Sequence, residues 1–417
     1  MNQSRQAAFL KNLNIYEVNL RQYTEEGTIQ AFIKHLPRLR DMGVEILWMM
    51  PIHPIGIINR KGTLGSYYSV KDFCDVNPEY GTKQDFRILV EAAHALGMKI
   101  IIDWVANHAA WDNNWTVSNP DFFVQDEAGY FVSPYDWGDV IQINHSNIDQ
   151  QAAMISAMQF WVRDFDIDGF RADLAHLTPL PFWRSARTAI DKMKPGLIWL
   201  AETEEPAYYD AFDINYAWKW MHLSEDFFKT GMNVSALTAF LEKQQVELPQ
   251  HAFQLYFTSN HDENSWNGTE YDKYGIYTKA LTVLSYTYPG SIPLIYSGQE
   301  LPNIKRLEFF EKDSIAWTDK IELHSFYKTL AAFHKNNFDG GDFRFLQAQK
   351  NILAYSISNA KRGMLVFLNL DKERVAADFF NTGINGGYTN IFTCESVTIE
   401  ENISVELEAG GFLLLGY

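Results

Sequence analysis

Residues Thr82 to Asp103 read TKQDFRILVEAAHALGMKIIID. The stretch opens on Thr-x-x-Asp, a capping-box start, sets Phe86, Leu89, Val90 and Ala93 on one helical face, and closes at Gly97. The short apolar run Met98–Asp103 follows at once. A run of continuous Ile, Val and Leu suits a strand buried on both faces of a parallel sheet, and the helix ahead of it makes half of a βαβ unit.

The same kind of run recurs at Asn14–Val18, Val44–Met50, Ile167–Asp173, Leu197–Glu202, Ala211–Asn215, Phe253–Asn260 and Ile292–Tyr296. Between most of these runs lies a segment of helical period. Thr28–Met42 carries Ile29, Phe32, Ile33, Leu36 and Leu39 and stops before Gly43; Ile148–Phe165 carries Met154, Ile155, Met158, Trp161 and Val162. Eight strands alternating with helices over about 300 residues predict an α/β fold, a (β/α)8 TIM barrel. No GxGxxG or P-loop pattern is present to favour an open doubly wound sheet. From His108 to Ile148 the sequence is rich in Trp, Asp, Asn and Pro, and too long for an ordinary βα loop, so a short inserted subdomain is predicted after the third strand. Towards the C-terminus the pattern changes to strand-length runs at Ile352–Ser358, Met364–Leu370, Tyr388–Thr393, Ser404–Leu407 and Gly411–Leu415. Turn residues at Asn359, Asp371, Asn385–Gly387 and Gly410 separate them, as in an antiparallel β-sandwich. The expected division is residues 1–108 and 149–340 for the barrel, 109–148 for the insert and 341–417 for the sandwich.

Composition narrows the function. Among 417 residues, 35 Lys and Arg stand against 52 Asp and Glu, a formal charge of −17, which argues against a nucleic-acid footprint or an anionic-lipid anchor. The two cysteines, Cys74 and Cys394, are far apart and lack CxxC spacing, which excludes a disulfide scaffold or a thiolate metal site. Met1–Leu20 has no continuous apolar core, so no signal peptide is read there, and no apolar run is long enough to span a membrane. The expected location is the cytoplasm. Aromatic residues reach 15%, which suits a large core and also the apolar faces of sugar rings.

In a barrel of this type the chemistry sits where strands end. Four of the runs deliver charged or imidazole groups there: Asp103 to Asn107-His108, Arg171 to Asp173, Glu202, and Asn260-His261-Asp262. A carboxylate after an apolar strand costs desolvation unless it is paired or used, and four such endings on one rim are hard to explain as helix caps. Arg171 and Asp173 are two apart and point the same way on a strand, so the guanidinium is expected to hold Asp173 ionised, as a carboxylate nucleophile requires. Glu202 follows the apolar run Ile198–Ala201, a setting suited to a general acid. Two carboxyls in different protonation states form the machinery of glycoside cleavage.

Asp103–His108, Gly169–Asp173, Glu202 and Asn260–Asp262 resemble, in order and spacing, the four signature regions of the α-amylase family (glycoside hydrolase family 13). Gly43–Pro51, Gly65–Thr82 and Gly298-Gln-Glu300 are similar to its supporting segments, and the resemblance covers essentially the whole chain. It implies a retaining mechanism on α-glucosidic bonds of malto-oligosaccharides or related α-glucans. Asp173 would be the nucleophile, Glu202 the acid and base, and Asp262 the third carboxylate, binding ring hydroxyls. Tyr68, His108, Arg171 and His261 would bind or support the substrate, with Asp103 behind them orienting Arg171. Leu174-Ala175-His176 departs from the family's Lys-His pair and leaves His176 alone on the acceptor side. Ile141–Asn144 matches neither of the family's markers of bond preference. The resemblance also makes Asn107 a candidate ligand for a structural calcium. The insert's Asp112, Asp121, Asp126, Asp136 and Asp139 show no ligand spacing, and a loop ordered by hydrogen bonds and by Trp111, Trp115 and Trp137 is preferred; no metal is assigned. Two other readings stand beside the hydrolase: a transglycosylase or glucosyl isomerase using the same intermediate, and a non-catalytic sugar-binding relative.

Overall fold

The computed structural model describes residues 10–249, 252–336, 341–347, 350–359, 362–380 and 382–417. All eight predicted barrel strands form: Ile15–Val18, Ile46–Met49, Lys99–Trp104, Gly169–Ala172, Ile198–Ala201, Ile214–Tyr216, Phe253–Tyr256 and Ser291–Tyr296. Each pairs in parallel with its neighbours in chain order, and the first closes on the eighth through Ile15 opposite Leu294. All but Lys99 at the edge of the third strand are buried, which is why the runs read as continuous rather than alternating.

Parity along the strands sorts the side chains. Ile15, Ile46, Trp48, Ile101, Ile198, Leu200, Ile214, Tyr216, Leu255 and Leu294 fill the barrel interior. The alternate residues, such as Tyr16, Leu47, Ile100, Ile102, Phe170 and Trp199, pack outward against the helices. Gly169 opens the fourth strand with φ +156°, and a Cβ there would lie 2.0 Å from the Ile198 carbonyl oxygen, so only glycine lets these two strands approach.

The helices over Lys83–Ala95 and Ile148–Phe165 form as predicted, the first with a reciprocal Thr82–Asp85 capping box and the second capped by Asn147. The single helix expected over Thr28–Met42 is instead two, Ile29–Ile33 and Leu36–Met42. Pro37 explains the break: it has no N–H to donate, and its ring would clash with the carbonyl of Ile33 in a continuous helix.

The stretch after the third strand is a small irregular layer. His108–Ala110 pairs antiparallel with Val140–Gln142, and between them lie one helical turn at Trp115–Ser118 and a bridge from Gln125 to Phe131. The C-terminal part has a six-stranded antiparallel sheet and a two-stranded one, Val375–Phe379 with Ile403–Leu407. Ile352, Ala354, Leu365 and Phe367 of the larger sheet share a core with Val375, Phe379 and Val405 of the smaller, and this makes the sandwich. The larger sheet's other face, with Leu353, Tyr355, Val366 and Leu414, joins the barrel's outer core. Three strands were not read from the sequence: Asp342–Phe345, Val375–Phe379 and Ser396–Ile399. The expected Tyr388–Thr393 strand runs instead from Gly386 to Asn390, so Gly386 and Gly387 are strand rather than turn, and Asn390 Oδ1 caps the following turn at Phe392 and Thr393. Residue 340, at the expected boundary before the sandwich, and residues 1–9 lie outside the described residues. Among those described, no helix is long and apolar enough to cross a membrane.

Candidate active site

The interior positions at the C-terminal end of the barrel are polar where those below are apolar. Continuing the period of two from Ile15, Ile46, Ile101, Gly169 and Ile214 gives Glu17, Trp48, Asp103, Arg171 and Tyr216. Arg171 sits at the centre, fully buried, with Asp103 as its register partner on the third strand. Its Nη1 donates to Asp103 Oδ1 and to Asp173 Oδ1, each at 2.9 Å, and its Nε donates to the Tyr216 hydroxyl at 3.2 Å. Nη2 forms an ion pair with Glu202 Oε2 at 2.9 Å. The same Glu202 oxygen accepts a hydrogen bond from the Leu174 N–H at 2.8 Å. Leu174 can offer it because the chain turns sharply after Asp173, with Leu174 at φ +40°.

A second chain of contacts runs across the rim. Glu17 Oε1 meets His261 Nδ1 at 2.5 Å, and His261 Nε2 lies 2.7 Å from the Tyr68 hydroxyl and 3.3 Å from Asp262 Oδ2. Tyr68 donates to Asp103 Oδ2 at 3.1 Å, an oxygen that also accepts from the Trp48 indole at 3.2 Å. Three side chains thus meet at Asp103, Tyr68 from the loop and Trp48 and Arg171 from the barrel.

The electrostatics follow from crowding. Five carboxyls (Glu17, Asp103, Asp173, Glu202 and Asp262) surround one guanidinium and one imidazole. Burial and the neighbouring Glu202 charge raise Asp173 well above the usual carboxylate range, more than Arg171 lowers it. Burial likewise raises Asp103, Asp262 and Glu17 against the pull of Arg171 or His261. Burial alone would lower His261, but Asp262 and Glu17 outweigh it and raise the imidazole to about 9. At His108 burial outweighs the pull of Asp139 and the Tyr68 backbone and lowers the imidazole to about 4, so it stays neutral at pH 7. The expectation that Arg171 alone sets the charge of Asp173 is therefore corrected, because burial and the neighbouring Glu202 oppose a guanidinium that is shared among three carboxyls. The apolar setting expected for Glu202 is corrected too, since one of its oxygens faces Arg171 and a backbone N–H. Such a cluster titrates as a unit.

Above the cluster is a cleft of about 330 Å3 whose lining includes Tyr68, His108, Asp173, Glu202 and Asp262. Beyond Glu202 and Leu174 a second groove contains His176, Trp218 and Lys219. Of the sequence-predicted residues, Tyr68, His108, Asp173, Glu202 and Asp262 line the cleft, Arg171, His261 and Asp103 support it from below, and His176 stands apart in the groove. Asp173 lines the cleft, and its Oδ2 is buried and accepts no hydrogen bond from the described residues. Sequence reasoning missed Glu17, Trp48 and Tyr216 beneath the site, and Lys61, Trp137, Asp139, Trp266 and Phe309 in the cleft wall. Glu17 carried the same signal as Asp103, a carboxylate at the end of an apolar run.

The insert's carboxylates do not fit a calcium ion, which takes six to eight oxygens. Asp112 is held by Lys71 at 3.1 Å and by the Ile57 N–H, Asp139 by Lys61 at 2.8 Å, and Asp121 by Asn147. Asp126 caps its own turn through Ala128 and Tyr130. The Asn107 amide lies against His108. Among the described residues no group of three or more His, Cys, Asp or Glu side chains is gathered for a metal.

A parallel barrel with two carboxyls on its C-terminal rim, both touching one guanidinium beneath an aromatic-walled cleft, defines the class of glycoside hydrolases. More narrowly, the chain belongs to the α-amylase family, whose catalytic-domain description matches residues 12–139 and 129–339. The structure is similar to that of AmyB, a noncanonic maltogenic α-amylase from Thermotoga neapolitana, at 31% identity and a TM-score of 0.89, covering 97% of this chain and 98% of that one. It is also similar to an α-amylase from Lactobacillus plantarum, at 28% identity and a TM-score of 0.89, covering 98% and 99%. In sequence it is 24% identical to a cyclomaltodextrinase from Geobacillus thermopakistaniensis over 93% of this chain and 70% of that protein.

Proposed function

We propose that the protein is a retaining hydrolase of α-glucosidic bonds in malto-oligosaccharides or related α-glucans, working through a covalent glycosyl-enzyme on Asp173. The observation that carries this reading is the pair Asp173 and Glu202, both bound to Arg171 and both lining the cleft, with Asp173 Oδ2 unpaired. Asp173 Oδ2 attacks the anomeric carbon while the bond to the leaving oxygen breaks, and Glu202 gives that oxygen its proton. Glu202 then takes a proton from water, whose oxygen displaces Asp173 and restores the starting anomer. Asp262 accepts hydrogen bonds from ring hydroxyls; neutral His108 binds the ring, while charged His261 supports it from below through Asp262 and Tyr68; Tyr68, stacked on His261 at 5.4 Å, supports its apolar face. Asp103 holds Arg171 and Tyr68 in place.

The same proposal takes residues 1–108 and 149–340 as the catalytic barrel, 109–148 as the insert and 341–417 as the sandwich. It also sets the activity in the cytoplasm, which the two unbridged cysteines favour. One observation favours transfer to a sugar acceptor as a second reading: the groove beyond Glu202, with His176 and Trp218 placed to hold one. The test is chromatography of products from maltoheptaose, panose and isomaltose, with NMR of the first-formed anomer and Asp173→Asn alongside. Early release of the α-anomer, lost in the variant, is expected; a β-anomer, or full activity in the variant, overturns the reading. Products longer than the substrate establish transfer.

A further inference from the structure

The cleft runs from Asp173 in two directions that differ in kind. Past Glu202 it meets the groove of about 520 Å3 containing His176, Trp218 and Lys219. A general acid stands beside the leaving oxygen, so this groove takes the leaving part of the substrate. The glycosyl part lies in the other direction, over Asp262 and Tyr68, in the cleft of about 330 Å3, near the lower end of the size of small-molecule sites.

That direction meets a wall built from three separate loops. Lys61, on the loop after the second strand, reaches the insert through its ion pair with Asp139 at 2.8 Å. Two and three residues on, the same loop joins the segment after the eighth strand: the Thr63 N–H donates to Glu311 Oε1 at 2.8 Å and the Leu64 N–H to the Phe310 carbonyl at 3.0 Å. Gly62 packs so tightly there that a Cβ would fall 2.5 Å from Phe310 Cβ. From behind, the buried Arg21 donates to the carbonyls of Gly65 at 2.9 Å, Phe309 at 3.1 Å and Leu64 at 3.2 Å, and so binds two of the three loops together. Lys61, Ser66, Trp137, Asp139, Phe309 and Phe310 all face the cleft.

We infer that this wall closes the glycosyl end of the cleft, so that the enzyme removes short units from the non-reducing ends of α-glucans. The Lys61–Asp139 pair is the specificity-determining latch between insert and loop. The inference rests on the hydrolase reading above, and it adds the polarity and the mode of attack. The latch is the weakest link in the wall: Asp139 is buried but Lys61 is 44% exposed, so water reaches the pair from the lysine side and screens it. It can therefore be removed without unfolding the chain, whereas Arg21 cannot.

The test compares two maltoheptaosides, each labelled at its reducing end, one free and one blocked by an ethylidene bridge across its last 4- and 6-hydroxyls. The full chain, Lys61→Ala and Lys61→Met are assayed on both. For wild type we expect the blocked substrate to be cut at least tenfold more slowly than the free one, with labelled products that shorten in constant steps. In both variants the ratio falls towards one and labelled products of intermediate length appear. Equal rates on the two substrates with wild type, or a ratio unchanged in both variants, overturn the inference while leaving the hydrolase intact. Wild-type inertness on both overturns the hydrolase reading itself. Melting curves of the variants establish that each is folded before its products are read.

Discussion

Replacing Glu17 by Gln isolates the charge that holds His261. Glu17 is fully buried, and its Oε1 meets His261 Nδ1 at 2.5 Å. The imidazole titrates at about 9 against a usual 6.5, and of the two carboxylates raising it Glu17 is the closer, with Asp262 at 3.3 Å. A hydrogen bond to a charged group is worth roughly 1.5–3 kcal/mol, and one pKa unit corresponds to about 1.4 kcal/mol. The variant is therefore expected to lower His261 by about one to two units, to about 7–8. The sign is fixed by the direction of the shift. A raised imidazole contributes stability that is fully present below pH 6.5 and is lost as pH rises through about 9. In Glu17→Gln that loss is complete at lower pH. Two assays read it: 15N NMR of the imidazole nitrogens, and the alkaline limb of kcat/KM on a short malto-oligosaccharide. A His261 midpoint that stays near 9 in the variant refutes the reasoning and shows that Asp262 alone carries the shift.

Arg171→Met leaves Asp103, Asp173 and Glu202 without their shared cation, and removing one partner from a buried ion-pair network costs about 3–5 kcal/mol. The melting temperature should fall steeply at pH 7 and recover part of the loss at pH 5, where the carboxyls take up protons. Asp173→Asn is expected to lower kcat by about 10^4-fold or more, yet to melt at or above the wild-type temperature at pH 7. The reason is that burial and Glu202 disfavour the Asp173 charge; a lower melting temperature contradicts this. Removal of divalent cations with EDTA should leave the melting temperature unchanged, because Lys71 holds Asp112, Lys61 holds Asp139, Asn147 engages Asp121 and Asp126 caps its own turn; a fall on chelation, restored by calcium, refutes that account.

The barrel was legible because its strands are buried on both faces and so read as unbroken apolar runs, from Ile15–Val18 to Ser291–Tyr296. What hid the other elements was partial burial. Val375–Phe379 buries only alternate residues, and with two alanines in five positions it offers little apolar contrast. Ser396–Ile399 at the sheet edge is exposed along most of its length. The break at Lys34-His35 was visible as Pro37 but was outweighed by the apolar period around it. In the site, the residue types at the strand ends pointed to the chemistry, and period two placed Arg171 beside Asp173. That burial and the charge of Glu202 raise Asp173 against the pull of Arg171 depends on neighbours brought in from other strands. Glu17 escaped notice for the same reason: its partner lies 244 residues away.

The closure of the barrel by its first and last strands has a consequence for the growing polypeptide. Ile15, Tyr16 and Glu17 find their second strand partner only in Leu294, Ile295 and Tyr296, so during synthesis the first strand keeps one edge open until most of the chain has been made. The cluster around His261 shares that timetable. Glu17 and His261 lie 244 residues apart, so their contact waits on the meeting of distant strands. The rim is thus assembled by ring closure rather than by any one segment.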